Sequence, residues 1–126
     1  MSNFLHLKGP WDRMRPFQIA SIIDDKNGLT IKIEDNQKYE LKGHLRFSAH
    51  HAYRNFNEAD LHGYWKELGG AFTTGIYVAS DSELMRWAAK QSIDRNLHRD
   101  IKHYMVVSVE DVLEVLSFEP PEFEAD

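Results

Sequence analysis

The sequence predicts a single α+β domain: a largely antiparallel β-sheet, a meander followed by a C-terminal hairpin, with one or two helices packed on one face. Three observations predict it. Alternating apolar and polar residues run through the first half of the chain and return after residue 100. Two windows instead carry apolar residues at helical spacing. The 126 residues match one domain in length, enough to bury a core without disulfides or a metal. The domain is expected over 1–119, with 120–126 as an acidic, flexible tail.

Taken in order, Phe17 to Ile23, "FQIASII", is apolar and rich in strand formers. Asn27-Gly28 in the following "DDKNG" is a two-residue hairpin signal. In "LTIKIED", Leu29, Ile31 and Ile33 fall on one face and Thr30, Lys32 and Glu34 on the other. Asp35-Asn36 signals a second turn. Tyr39 and Leu41 of "KYEL" are then expected to point inward, until Gly43 breaks the alternation. Leu45 to Tyr53 reads as one further strand.

Helical spacing begins after Asn57, with Leu61, Tyr64, Trp65 and Leu68 at i, i+3, i+4 and i+7. Asn57 is the expected N-cap, Glu58 and Asp60 suit the first turn, and Gly69-Gly70 stops the helix. "TGIYVAS" is a short strand. Ser80-Asp81-Ser82-Glu83 has the spacing of a capping box. Leu84, Met85, Trp87, Ala88 and Gln91 carry the principal helix, expected to end between Ile93 and Asn96. "IKHYMVVSV" is a strand over Ile101–Val107. "DVLEVLSF" reads either as a helix from Ser108 or as a strand returning through a Ser108–Asp111 turn. Its shortness and the Pro120-Pro121 stop favour the strand.

Composition narrows the function classes. There is no cysteine, which excludes disulfides, thiolate catalysis and cysteine metal sites, and a cytoplasmic protein is expected. No run approaches the ~20 apolar residues of a membrane helix, and the N-terminal segment lacks the pattern of a signal peptide. The formal charge is −5, and the basic residues cluster only at Arg13 with Arg15 and at Arg95, Arg99 and Lys102. That is too little for a nucleic-acid footprint. The acids gather toward the end: Glu110, Asp111, Glu114, Glu119, Glu122, Glu124 and Asp126.

The chemistry-bearing candidates are few. "SAHHAYRNFNEAD" holds two adjacent histidines, but neighbours in a strand point to opposite faces. His50 is expected among polar groups. His51 is expected on the apolar face with Phe47 and Tyr53, where it needs a hydrogen-bond partner. Arg54 and Glu58 are expected to pair or cap where this strand meets the helix. His98 and His103 in "HRDIKH" lack the spacing of a helical metal pair, so neither metal nor cofactor is expected. Two histidines with Lys102 could serve metal-free RNA cleavage, though such a set arises readily by chance among seven histidines. Glu114 shares a face with Val112 and Leu116. It is expected at a solvated sheet edge, and inside the fold it would need a partner such as Arg54 or His103. No phosphate-binding glycine loop, G-x-S-x-G or dinucleotide fingerprint is present. Trp11, Trp65 and Trp87 are expected in or at the edge of the core.

The segments "AYRNFNEAD" and "HYMVVSVEDVLEVLSFEPPEF" resemble small bacterial proteins of uncharacterised function, some of them similar to immunity partners of secreted toxins. The resemblance implies a binding protein with an acidic face and no catalytic residues. The first functional expectation is therefore a protein-interaction module whose surface Glu110, Asp111, Glu114, Glu119 and Glu122 meets a basic partner. The alternative is a small enzyme or ligand-binding domain with a pocket around His51, His103 and Glu114. Homodimerisation through a sheet edge fits either.

Overall fold

The chain folds as the alternation predicts, into an α+β domain dominated by antiparallel strands, seen here in a computed structural model that describes residues 3–93 and 100–125. The expected helix end near Asn96, and with it Arg95, His98 and Arg99, lies outside those residues. Among the described residues the strands form two sheets rather than one. The first has the order β1 (Leu5–His6), β6 (Gly75–Ala79), β7 (Lys102–Val107), β8 (Asp111–Ser117), β5 (His50–Asn57). The second has the order β2 (Phe17–Asp25), β3 (Gly28–Asp35), β4 (Leu41–Phe47), β9 (Glu122–Ala125). Every pairing is antiparallel.

The division falls inside the run expected to be one strand. Residues up to Phe47 belong to β4, Ser48 and Ala49 turn, and His50 opens β5 in the other sheet. The two sheets pack face to face. Leu29, Ile31, Ile33, Leu45 and Phe47 from one meet Ile76, Tyr104, Val106, Leu113 and Val115 from the other, with Trp11 and Phe17 closing the layer. Each such side chain contributes about 1.5–3 kcal/mol on full burial. The opposite face of the first sheet is covered too. Met105, Val107 and Val112 pack there against Leu61 and Trp65. Burial on both faces explains why "YMVV" and "VLEVL" read as near-continuous apolar runs.

The helices sit on that second face. Asn57 caps the first, its side chain accepting from Ala59 N; a 3-10 turn over Glu58–Leu61 leads into α1 (His62–Glu67). The second, α2 (Glu83–Gln91), starts two residues later than the capping-box spacing indicates. Ser82, not Ser80, is the N-cap, and its Oγ accepts from Met85 N at 3.1 Å. This expected principal helix buries none of its residues.

Other local expectations shift. The first hairpin turns at Lys26-Asn27, because Gly28 opens β3 with φ +112, where a side chain would be strained and would lie 2.5 Å from the Phe47 carbonyl. Tyr39 and Leu41 do not point inward. Asp35 Oδ1 accepts from Gln37 N and Lys38 N, the turn lengthens, Tyr39 takes φ +59, and both side chains are exposed. Gly43 does not end its strand; it lies within β4, where β9 passes close over it. The expected flexible tail after Pro120 contains β9. Its Glu122 and Glu124 face Arg46 and His44 of β4, and Phe123 packs against the core.

Candidate functional site

Glu114 organises the site. It lies on β8, a central strand flanked by β7 and β5, and is 1% exposed. It is therefore not the solvated edge residue expected, nor part of an acidic surface. Burying a lone carboxylate is costly, and three elements supply the compensation. Arg54, its cross-strand partner on β5, donates Nε–H to Oε2. Tyr64 of α1 donates its hydroxyl to Oε1. His103 on β7, fully buried, places Nε2 3.0 Å from Oε1, close but poorly aligned for a hydrogen bond. On the far side of the imidazole, Nδ1 lies 2.8 Å from Ser82 Oγ at the start of α2. Phe4 covers the ring edge-on, with centroids 4.8 Å apart.

These contacts fix the charges. Burial alone would raise the Glu114 pKa, but His103, Arg54 and Tyr64 outweigh it and hold the carboxyl at about 2. Burial and the bond to Glu114 push the Tyr64 phenol well above its ordinary range, so it stays a donor. Burial opposes the charge on Arg54, and Glu114 more than restores it. The guanidinium also lies against two rings, 5.5 Å from the Phe56 centroid and 5.7 Å from that of Tyr64.

Beside this network opens a cavity of about 950 Å³. Its walls come from β5, α1 and α2. Ala52, Phe56, Leu61, Leu68, Leu84 and Trp87 supply apolar surface, while Arg54, Tyr64 and Ser82 supply polar atoms from the Glu114 network. Glu67 and Glu83, both exposed, stand at its rim. Leu84, Trp87 and Ala88 of α2 face this space. That is why α2 fully buries none of its residues and why Trp87, expected in or at the edge of the core, is 61% exposed.

The remaining candidates fall apart or change places. His103 and Glu114 converge, but His51 does not join them. A bulge at His51, where the register moves from His50–Ser117 to Ala52–Leu116, throws its ring outward beside Phe118. His50 is the more buried of the pair and meets Asp24 of β2 at 2.9 Å. Arg54 pairs with Glu114 rather than with Glu58. Lys102 is exposed whereas His103 is buried, so the two cannot share an RNA phosphate. Among the described residues no group of three His, Asp or Glu side chains is arranged to hold a metal ion. The other proposed acidic residues do not form one patch. Glu110 and Asp111 stand at one end of β8 and Glu119 and Glu122 beyond the other, roughly 20 Å away at strand rise.

Sequence reasoning missed Tyr64 as a polar partner, since its spacing marks it as core, and Trp87 as a wall. It placed Ser82 inside a cap without giving it the cap. The available signal was the apolar stripe that begins at Leu84, two residues after Ser82. No protein-family model, curated protein or solved structure matches the chain. No helix among the described residues is long and apolar enough to cross a membrane.

Proposed function

We propose that this protein binds a small molecule with an apolar body and one carbonyl or carboxylate acceptor, held between α1 and α2. The observation that carries the proposal is the cavity of about 950 Å³ beneath a helix that fully buries none of its side chains. Sites for small molecules are concave, mostly apolar, and furnished with a few placed polar groups. Here Arg54, Tyr64 and Ser82 are those groups, and Glu114 and His103 hold them rigidly from below. A ligand that covered Trp87 would gain about 2 kcal/mol from that contact alone. A cytosolic location belongs to the proposal and is supported by the absence of cysteine. The competing idea, occlusion of a basic protein by carboxylates, keeps Glu110, Asp111, Glu119 and Glu122. It lacks a contiguous patch, and Glu122 already faces Arg46.

A thermal-shift panel of medium-chain and aromatic carboxylic acids tests the proposal. At least one member is expected to raise Tm in proportion to the logarithm of its excess concentration, with Trp87→Ala abolishing the rise. A panel that neither moves Tm nor alters tryptophan emission would refute it.

A further inference from the structure

The Glu114 network ends at a hydroxyl, and the direction of its proton chain is set at both ends. Ser82 Oγ accepts the Met85 amide, which leaves its own proton free to point at His103 Nδ1, 2.8 Å away. The ionised Glu114 lies 3.0 Å from Nε2 and favours the tautomer protonated there. In that tautomer the imidazole presents its Nδ1 lone pair to the Ser82 hydroxyl. That is the polarity a general base needs toward a serine nucleophile, with a carboxylate orienting the base from behind. Ser82 is 1% exposed and lines the cavity wall. The amides of Glu83 and Leu84, in the first turn of α2, have no carbonyl partner within the helix and stand next to the reacting oxygen in the chain.

We infer that Ser82 is an acyl-accepting nucleophile activated by His103, and that the protein cleaves an ester whose apolar acyl chain lies in the cavity; this rests on the binding role proposed above. Ser82 Oγ forms a bond to the ester carbonyl carbon and its proton passes to His103 Nδ1. The oxyanion that develops is met by the free amides at the start of α2. The carbon–oxygen bond to the leaving alcohol breaks, and the alcohol departs with the proton from Nδ1. Solvent water then attacks the acyl carbon and gives a proton to Nδ1; the bond between that carbon and Ser82 Oγ breaks, Oγ takes the proton back from Nδ1, and the carboxylic acid is released. Ser82 and His103 are the catalytic residues, and Glu114 is a positioning residue. With so little solvent at Ser82, deacylation is the slow step and the acyl-protein accumulates.

The test exposes the full chain to 4-nitrophenyl hexanoate and follows intact mass and nitrophenolate release. One hexanoyl group per chain, mapped to Ser82, with a stoichiometric burst, is expected. Ser82→Asn keeps a good cap but has no nucleophile, and should take up none while melting near the parent. His103→Gln should acylate about 10²-fold or more slowly. Binding is read separately by saturation-transfer NMR with the uncleavable ketone 1-(4-nitrophenyl)heptan-2-one, which keeps the carbonyl of the ester. Ketone binding without acylation of Ser82, or acylation that survives Ser82→Asn, overturns the inference and leaves the binding role standing. Absence of both ketone binding and acylation overturns both.

Discussion

Arg54 and Glu114 face each other across the β5–β8 ladder, the guanidinium Nε donating to a carboxylate that solvent does not reach. Arg54 itself is 39% exposed at the cavity, so the pair spans the boundary between core and site. It couples the buried carboxylate to Arg54, the one cationic side chain among the described residues that line the cavity.

Removing the carboxylate should be the more damaging half. Glu114→Gln leaves Arg54 and Tyr64 without the anion that organises them, and loss on the order of 3 kcal/mol is expected for a buried partner. Arg54→Met should cost less, because water screens the exposed guanidinium and Tyr64 and His103 still serve Glu114. In urea denaturation the double variant should lose less than the two losses added together. Strict additivity would show that the two residues do not act as a pair.

Acid should weaken the fold through the same carboxylate. Glu114 titrates at about 2 when folded and near 4.5 when unfolded. A lowered folded pKa means that the unfolded chain binds the proton first. The stabilisation is therefore full above pH 4.5 and is lost as pH falls toward 2, on the order of 3 kcal/mol in all. Urea midpoints measured between pH 6 and pH 2 should fall along this limb, and Glu114→Gln should flatten it. An equally steep limb in the variant would assign the acid sensitivity elsewhere.

Much of the fold was legible because period alone decides which side of a strand is buried. Leu29, Ile31 and Ile33 alternate, and all three are fully buried. Val112 and Leu116 alternate with Leu113 and Val115 on β8, and the two sets fill different layers. Period does not say which sheet a strand joins, so the change of sheet at Ser48-Ala49 was hidden within one apolar run. It also fails across a bulge, where one extra residue reverses every following face. His50 and His51 exchanged their expected roles for that reason. For Glu114 the cost of burial identified the right class of partner, and both named partners, Arg54 and His103, are there. Tyr64 and Ser82 were not legible as members of the network, because what recruits them is the packing of two helices over one strand.

The tryptophans should divide sharply. Trp65 is buried against Met105, Val107 and Val112, and Trp65→Ala should cost about 3–5 kcal/mol. Trp87 is mostly exposed, and Trp87→Ala should change stability by no more than about 0.5 kcal/mol. Chemical denaturation measures both. In fluorescence, Trp87 should supply the red-shifted, quencher-accessible part of the emission, which its removal deletes. A large stability loss from Trp87→Ala would mean that α2 packs down and that the cavity is closed in solution.

Gly43 should be intolerant of a side chain for a reason confined to the second sheet. A Cβ there would lie 2.5 Å from the Glu124 carbonyl and 2.8 Å from the Phe123 ring, and the first of these is backbone with little room to yield. Gly43→Ala should therefore lift β9 from β4 and loosen Phe123, at about 1–3 kcal/mol for the overpacked contact. Gly63 provides the control. It lies in α1 with open space around its Cα, so Gly63→Ala should stabilise by about 0.5–1 kcal/mol through helix propensity. Hydrogen exchange resolves the effect by strand. In Gly43→Ala, amides of residues 122–125 should lose protection while those of β7 and β8 keep theirs, since these strands belong to the other sheet. Uniform loss of protection across both sheets would instead mean that β9 is integral to the whole core.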